Sequence, residues 1–222
     1  MNYKSTLTTF HGLGIAPLLL EALERLRFTS PTPIQQQAIP IAVQGKDIVG
    51  IAQTGTGKTL AYGIPMIQRL AQVKGNDLVV VPTREIELQV EETLEQIGRT
   101  LGLRIAVLIG GTPYGPQSRN LLQKPHVVIA TPGRLIDHLE QKTFRLNDSY
   151  IVVLDEADRM LDMGFAPQIQ RIITALPKER QTMLFSATMP SKVLKMATSY
   201  MKLPVRIEIA PSGTTAERVT QE

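Results

Sequence analysis

The most informative segment of this chain is Ala52-Gln53-Thr54-Gly55-Thr56-Gly57-Lys58-Thr59. A short apolar run at residues 48–51 precedes it, and a helix-compatible run at residues 60–70 follows it. A strand, a glycine-bearing turn, Gly-Lys-Thr and a helix form the layout of a phosphate-binding P-loop. The first position of the pattern is Ala52, where glycine is usual. A plain strand-to-helix loop is the alternative, and the complete spacing argues against it.

Each part of this loop has a chemical reason. Gly55 and Gly57 allow a tight turn whose N–H groups point inward at phosphate oxygens. The helix that starts near Lys58 brings its partly positive N-terminus to the same oxygens. The Lys58 ammonium can reach the outer phosphates, and the Thr59 hydroxyl can join the shell of a Mg²⁺ ion. We therefore predict a nucleotide-phosphate site formed by Thr54, Gly55, Thr56, Gly57, Lys58 and Thr59.

Composition and charge indicate an ordinary globular protein. The 222 residues are 43% hydrophobic and 20% charged, with a net charge of +4. The sequence contains no cysteine, which excludes disulfides and thiolate metal sites. Its first residues lack the apolar core of a signal peptide, and no apolar run approaches the ~18 residues that a membrane span needs. We expect a cytoplasmic monomer without a membrane partner, whose modest basic excess is compatible with nucleic-acid binding.

Apolar runs alternate with helical patterns over most of the chain, which is typical of an α/β domain. Strands are predicted at residues 47–51, 78–81, 104–109, 127–130, 151–154, 182–186 and 205–209. Several of these runs are apolar on both faces, as expected when helices cover both sides of a doubly wound, mainly parallel sheet. Ligands bind such sheets beyond the carboxyl ends of the strands, so the loops that follow the strands should share one rim.

The predicted strand at residues 151–154 ends in two acids, Asp155 and Glu156. One carboxylate can hold Mg²⁺ opposite Thr59, directly or through water, and its neighbour can orient or deprotonate an attacking water. We assign Asp155 to the metal and Glu156 to the water. By itself the pair is equally compatible with a solvated strand end, and the P-loop upstream favours catalysis. The predicted catalytic residues are therefore Lys58, Asp155 and Glu156.

Asp155-Glu156-Ala157-Asp158 also spells the motif after which the DEAD-box RNA helicases are named. Further stretches resemble motifs of this family in the same order: residues 28–35 (the Q motif), 52–59, 82–85, 110–111, 131–134 and 186–188. The resemblance covers about residues 10–222 and is to the N-terminal RecA-like domain, with an end that looks like bacterial members. It implies a RecA-like P-loop NTPase domain at residues 1–210, with the Q-motif region at residues 10–44. An interdomain linker would start at residues 211–222, and the second RecA-like domain is absent from the sequence.

The resemblance implies that the nucleotide is ATP and that the metal is Mg²⁺. Gln35 would bind the adenine edge, and an amide can pair bidentately with adenine N6 and N7. Phe28 would lie against the adenine ring, and Phe10 matches the isolated upstream aromatic residue of the family. Packing in the core is the alternative for both rings.

The remaining motifs imply coupling to RNA. Ser186 and Thr188 match the motif that links ATP hydrolysis to strand separation, with hydroxyls bonded to Asp158; capping of the following helix is the alternative. Glycines and helix N-termini suit contact with the sugar-phosphate backbone and not with bases, so sequence-independent RNA binding is expected. The residues that match RNA-contact positions are Pro82, Thr83, Arg84, Gly110, Gly111, Thr131, Pro132, Gly133 and Arg134.

Two residues depart from the family pattern. Glu87 stands in the first turn of a predicted helix where the family usually has alanine. An acid there suits the helix dipole but would repel a nearby phosphate, so we hypothesise that Glu87→Ala strengthens RNA binding. A harmless, outward-pointing Glu87 is the alternative. Arg27 stands where the family usually has glycine, which often marks a positive φ.

The leading interpretation is half of an enzyme that hydrolyses ATP to ADP and phosphate and locally unwinds RNA duplexes. The resemblance implies that the cations that stabilise the transition state come from the second RecA-like domain. The chain alone should therefore bind nucleotide but hydrolyse it very slowly. An ATP-gated RNA clamp or assembly platform with little unwinding is an alternative. An unrelated P-loop DNA translocase is another, and the Q motif and the Asp-Glu-Ala-Asp motif argue against it.

Overall fold

Strands and helices alternate along almost the whole chain. The computed structural model describes residues 9–70 and 75–210. The strands there are β1 (Ile48–Ile51), β2 (Asn76–Val80), β3 (Ile105–Leu108), β4 (Val127–Ala130), β5 (Ser149–Leu154), β6 (Gln181–Ser186) and β7 (Val205–Glu208). The helices are α1 (Pro17–Arg25), α2 (Pro33–Ala42), α3 (Lys58–Leu70), α4 (Arg84–Gly98), α5 (Tyr114–Leu122), α6 (Pro132–Glu140), α7 (Ala157–Asp162), α8 (Ala166–Ala175) and α9 (Ser191–Tyr200).

The seven predicted strands are confirmed, and their ends differ from the prediction by at most two residues. The sequence pattern does not single out α5 or α7 as helices. The α5 helix carries Gly115 and Pro116 in its first turn, where proline is tolerated although both residues indicate a loop in sequence. The α7 helix has only six residues, too few for a helical period to be recognised. The predicted linker at residues 211–222 lies outside the described residues.

The strands form one sheet in the order β3-β4-β2-β5-β6-β1-β7. Each pair of neighbours is parallel, so the expected mainly parallel sheet is wholly parallel in the described part of the chain. This order puts β5, β6 and β1 side by side, although β1 is far from the other two along the chain. Ile48 of β1, for example, pairs with Met183 of β6. The loops after β3, β4 and β2 therefore occupy one half of the rim, and the loops after β5, β6 and β1 occupy the other half.

Alternation of side chains along the strands creates a hydrophobic core on each face of the sheet. Val79, Val153 and Phe185 pack with apolar residues of α1 to α4 on one face. Val80 and Val152 pack with α5 to α9 on the other. The period of two in a strand sends successive residues to opposite faces, which explains why these runs are apolar throughout. Within residues 9–70 and 75–210, no helix is long and apolar enough to cross a membrane.

Arg27 has a positive φ of 62°, so the position does require the backbone that a glycine would favour. It follows α1, where the N–H of Phe28 donates to Leu23 O at 2.9 Å and that of Arg27 donates to Glu24 O at 2.9 Å. These two bonds form a Schellman motif that ends the helix and directs the chain into the Q-motif region. The left-handed conformation costs a non-glycine residue about 1–2 kcal/mol, which the two hydrogen bonds offset.

Candidate functional site

A cavity of about 300 Å³ opens beside the P-loop. Its lining comes from the P-loop and start of α3 (Thr54, Gly55, Gly57, Lys58, Thr59, Leu60), the end of β5 (Asp155, Glu156), the turn after α1 (Phe28) and α4 (Ile86, Gln89, Val90, Thr93). The lining thus combines Phe28 with predicted phosphate, metal and water residues, whereas Gln35, Phe10 and Thr56 are not part of it. The α4 residues were missed in the sequence, although their spacing is that of one helix face.

Lys58 is buried at 6% exposure, and its ammonium has no hydrogen-bond partner among the described residues. A buried cation without a partner is unfavourable, so an anion in the cavity would compensate it. Gly55 and Gly57 have φ values of 81° and 87°, the left-handed conformations that the tight turn requires. The α3 helix starts at Lys58, and its N-terminus adds partial positive charge. These features fit the phosphates of a nucleotide.

Asp155 is held in one orientation by two hydrogen bonds. Its Oδ2 accepts from the Tyr62 hydroxyl at 3.0 Å, and its Oδ1 accepts from the Glu156 N–H at 2.9 Å. Burial raises the pKa of the Asp155 carboxyl, and the Lys58 charge acts in the opposite direction. Burial and Asp155 raise the pKa of Tyr62 well above its usual value, so Tyr62 is a neutral donor.

The donor set around Asp155 suits Mg²⁺ better than a metal held by protein ligands alone. The described residues contain no cluster of three or more histidine, cysteine, aspartate or glutamate side chains that could hold a metal. Mg²⁺ usually takes one or two protein ligands and fills its shell with phosphate oxygens and water. Asp155 and Thr59 both line the nucleotide cavity and can provide those two ligands.

Glu156 has a left-handed backbone, with φ 51° and ψ 50°. This conformation is uncommon for a residue other than glycine, and such strain concentrates at functional sites. Glu156 Oε2 accepts from Arg159 Nη1 at 3.2 Å, and the side chain still lines the cavity. The carboxylate is therefore oriented by an arginine while it faces the space in which a water could be activated.

Gln35 connects the Q motif to the P-loop. Its Oε1 accepts from the Thr32 N–H at 2.9 Å, and its Nε2 donates to Gly57 O at 3.1 Å. One N–H and one oxygen lone pair of the amide remain for adenine. Phe28 lines the cavity, whereas Phe10 is buried in the core at 4% exposure and is not among the lining residues. A role for Phe10 at adenine stays a prediction.

Asp158 is bonded to the loop after β6. Thr188 donates to Asp158 Oδ2 through its hydroxyl at 2.8 Å and through its N–H at 2.9 Å. The Ser186 hydroxyl oxygen accepts from the Asp158 N–H at 3.2 Å. Burial opposes ionisation of Asp158, but the bonds from Thr188 and Ser186 hold its pKa below the ordinary value. The acidic motif and the motif at residues 186–188 are thus joined around one ionised carboxylate.

The predicted RNA-contact residues follow three adjacent strands, β3, β4 and β2. Each of these loops leads into a helix N-terminus, which attracts phosphate. Arg84 is exposed, and a side chain added at Gly110, Gly111 or Gly133 would meet no atom within 4 Å, so the backbone there is open. Pro82 and Pro132 are buried and shape the turns.

The Arg134 side chain makes its contacts within the protein. Its side chain is only 13% exposed, and its Nη1 donates to Thr112 O at 3.0 Å. Its Nε lies 3.6 Å from Asp137 Oδ2, and its guanidinium lies 5.9 Å from the ring centre of Tyr114. Arg134 therefore connects the loop after β3 to the start of α6 and positions the turn that contains Gly110 and Gly111.

Glu87 points into the protein, which neither alternative from the sequence anticipated. It is 1% exposed, and both carboxylate oxygens lack a hydrogen-bond partner among the described residues. Burial, followed by the neighbouring Glu91 carboxylate, raises the pKa of Glu87 to about 7, while Arg84 acts in the opposite direction. The outward-pointing alternative is wrong. The hypothesis of direct repulsion between Glu87 and RNA phosphate loses its basis, because the side chain does not reach the surface.

We predict that Glu87→Gln stabilises the fold more at pH 8 than at pH 5. The pKa of about 7 in the folded protein exceeds the value of about 4.3 in an unfolded chain. Stability from the bound proton is complete below the unfolded value and is lost as pH rises through the folded value. Urea denaturation at pH 8 should show a gain of roughly 1–2 kcal/mol. Glu92→Gln, exposed on the same helix, is the matched control. An equal gain from Glu87→Gln at both pH values would contradict the prediction.

A family model described as DEAD/DEAH box helicase matches residues 32–197. The chain is 46% identical over 216 residues to the ATP-dependent rRNA helicase RRP3 of Debaryomyces hansenii, covering 96% of this chain and 45% of that protein. It is 44% identical over 218 residues to the DEAD-box ATP-dependent RNA helicase CshA of Geobacillus kaustophilus, covering 97% of this chain and 46% of that protein. Fungal and bacterial relatives match almost equally well, so a bacterial source stays a prediction.

Two crystal structures share this fold. A DEAD box protein from Methanococcus jannaschii matches with a TM-score of 0.86 and 36% identity, over 90% of this chain and 55% of that chain. A hypothetical ATP-dependent RNA helicase from Sulfolobus tokodaii matches with a TM-score of 0.82 and 36% identity, over 86% and 56% of the two chains. The RecA-like fold is confirmed, and the chain spans about half the length of these relatives.

Proposed function

The chain belongs to the DEAD/DEAH box helicase family, and we propose that it is the ATP- and RNA-binding half of an ATP-dependent RNA helicase. The observation that carries this proposal is the buried Lys58 ammonium, which has no hydrogen-bond partner in residues 9–70 and 75–210 and lies in the same cavity as Asp155 and Glu156. That cavity combines a site for phosphate, a ligand for a metal and a base for water. The names of the relatives, which include ATP-dependent RNA helicases, support the same reaction.

The residues of this chain divide the work of ATP hydrolysis. Lys58 and the P-loop amides bind the phosphates, and the amide of Gln35 selects adenine. Asp155 and Thr59 would hold Mg²⁺, which would supply neutralising charge at the phosphates. Glu156 accepts a proton from the attacking water. Asp158 transmits the state of this site to Thr188 through their hydrogen bonds.

The proposal places RNA on the half of the rim that follows β3, β4 and β2. Arg84 and three helix N-termini supply positive charge without groups arranged to read bases. The strand order puts this half beside β5, whose end carries Asp155. We further propose that a protein of the relatives' length contributes a second RecA-like domain, which supplies the cations that stabilise the transition state. That protein would act as a cytoplasmic monomer.

Nucleotide binding and turnover test this proposal together. Residues 1–222 should bind fluorescent ATP with Mg²⁺ at least about tenfold more tightly than GTP. Adenine offers an N6 donor beside the N7 acceptor, which matches the Gln35 amide, whereas guanine offers the acceptor O6 in place of N6. Hydrolysis by this chain should be very slow and unaffected by RNA, whereas a protein of the relatives' length should be stimulated. Absence of ATP binding would overturn the proposed site. RNA-stimulated turnover by the chain alone, equal to that of the longer protein, would overturn the need for a second domain.

A further inference from the structure

A second cavity, of about 590 Å³, lies at the opposite edge of the sheet from the cavity beside the P-loop. Its lining includes Asn76, Arg104, His126 and Asp148, which stand at the starts of β2, β3, β4 and β5 or directly before them. The nucleotide and RNA loops follow the carboxyl ends of the same parallel sheet. Strands of this length separate the two edges by roughly 13–20 Å. We call this second cavity the basal cleft.

Four exposed cations line the basal cleft: Arg104, Lys124, Lys142 and Arg145. Among residues 9–70 and 75–210, no carboxylate lies within 4.0 Å of any of these four side chains. Asp148 is the one acid among the described lining residues, so the cleft has an excess of three positive charges. Some surface cations elsewhere, such as Arg171 and Lys202, have acidic partners. The basal cleft therefore concentrates positive charge that the fold itself does not neutralise.

Hydrogen bonds hold the floor of the basal cleft in shape. Arg104 donates to Lys124 O from Nη2 at 2.9 Å and from Nε at 3.3 Å. The Arg104 N–H donates to His126 Nδ1 at 3.0 Å, so the proton of the neutral ring lies on Nε2. Burial and Arg104 keep the pKa of His126 below its usual value, and the ring is therefore a neutral donor at physiological pH.

Lysine occupies two positions of the basal cleft where the backbone favours another residue. Lys124 and Lys142 have φ values of 51° and 57°, in the left-handed region that suits glycine or asparagine. The local conformation therefore does not explain why lysine stands at either position. A requirement for positive charge in the cleft explains it.

The basal cleft also offers an aromatic surface. Phe144 is half-buried and lines the cleft beside the cations. An aromatic ring for base stacking, together with arginine and lysine for phosphates, is the combination that binds single-stranded nucleic acid without reading its sequence. An acidic peptide would use the cations but would leave the ring without a stacking partner.

We propose that the basal cleft binds single-stranded RNA, with its cations on the phosphates and Phe144 against a base, as a contact separate from the rim. The identity of the polyanion as RNA rests on the proposed function, whereas the position and charge of the cleft do not. A strand held at both places is bound through two linked sites, so long RNA gains affinity that short RNA lacks.

The test compares Lys124→Asn/Lys142→Asn with Lys46→Asn/Lys178→Asn. Asparagine removes each charge and tolerates the left-handed backbone of the cleft lysines. The control lysines are exposed and precede β1 and β6 at the same edge, outside the basal cleft. Fluorescence anisotropy would follow labelled single-stranded RNAs of about 10 and about 30 nucleotides, with a protein of the relatives' length.

The cleft variant should bind the long RNA roughly 5- to 10-fold more weakly, with a salt slope reduced by about 1.4. Binding of the short RNA by either variant, and of both RNAs by the control variant, should match the wild type. Equal binding of the long RNA by wild type and cleft variant would overturn the proposal. The proposal would also be overturned if the cleft variant lost affinity for polyglutamate but kept its affinity for RNA. If, in that case, Arg84→Ala weakened the binding of both RNAs, the proposed function would stand without the cleft. Absence of RNA binding by the wild type would overturn both.

Lysine acetylation gives a second measurement that needs no variant. Long RNA should protect Lys124 and Lys142 of the wild-type protein, and short RNA should not. Equal modification of both lysines with and without long RNA would contradict the proposal.

Discussion

Lys58→Ala should lower the affinity of the chain for ATP by roughly 100-fold, or about 3 kcal/mol. The wild-type ammonium is buried and has no partner among the described residues, so its attraction to phosphate is only weakly screened by water. The same truncation should leave the thermal stability of the nucleotide-free chain unchanged or slightly raised, because it removes a buried cation that has no hydrogen-bond partner among the described residues. Fluorescent-nucleotide titration and thermal denaturation measure the two quantities on one sample.

Lys46→Ala is the matched control for this variant. Lys46 is exposed and stands before β1, whereas Lys58 follows the other end of the same strand. The control should bind ATP like the wild type. Retained ATP affinity in Lys58→Ala would contradict the assignment of the cavity to phosphate. A large loss of stability in Lys58→Ala would instead indicate that the ammonium holds the fold.

Glu156→Gln should reduce RNA-stimulated ATP hydrolysis by about 10²–10⁴-fold in a protein of the relatives' length. Glutamine keeps the size of the side chain and its bond with Arg159 but cannot accept the proton of the attacking water. ATP binding should change little, because Lys58 and the P-loop bind the phosphates. The RNA complex formed with ATP should consequently last longer, which a dissociation experiment with competitor RNA can measure.

Glu140→Gln provides the control for Glu156→Gln. Glu140 also pairs with an arginine, Arg171 at 2.8 Å, but lies on the surface outside the nucleotide cavity. Its turnover should match that of the wild type. Hydrolysis by Glu156→Gln at the wild-type rate would remove Glu156 from the reaction. Joint loss of ATP binding and turnover would assign it to binding.

Local chemistry explains why the strands and the nucleotide residues could be predicted from the sequence. Gly55, Gly57 and Lys58 match a phosphate-binding pattern whose atoms are neighbours along the chain, so spacing alone is sufficient to predict the site. The apolar strands are recognisable because both of their faces are buried. The α5 helix was missed because Gly115 and Pro116 indicate a loop, and tertiary packing overrides that preference.

Contacts between distant segments could not be predicted in the same way. The direction of Glu87 depends on how α4 packs on the sheet, and a carboxylate in a first helical turn ordinarily faces water. The bond between Tyr62 and Asp155 joins residues that are 93 positions apart. Arg134 matches an RNA-contact pattern in the sequence. Its hydrogen bond to Thr112 O depends on the approach of two separate loops.

The α/β class, the P-loop and the acids that follow β5 can be read from the sequence, because propensity, alternation and spacing act within short segments. The order β3-β4-β2-β5-β6-β1-β7, and with it the separation of the proposed RNA loops from the proposed nucleotide loops, emerges only when the chain folds. The tertiary structure also decides the burial of Glu87 and the collection of four cations in the basal cleft. The physical reason is that strand pairing and helix packing bring together residues whose separation along the chain carries no information about their distance in space.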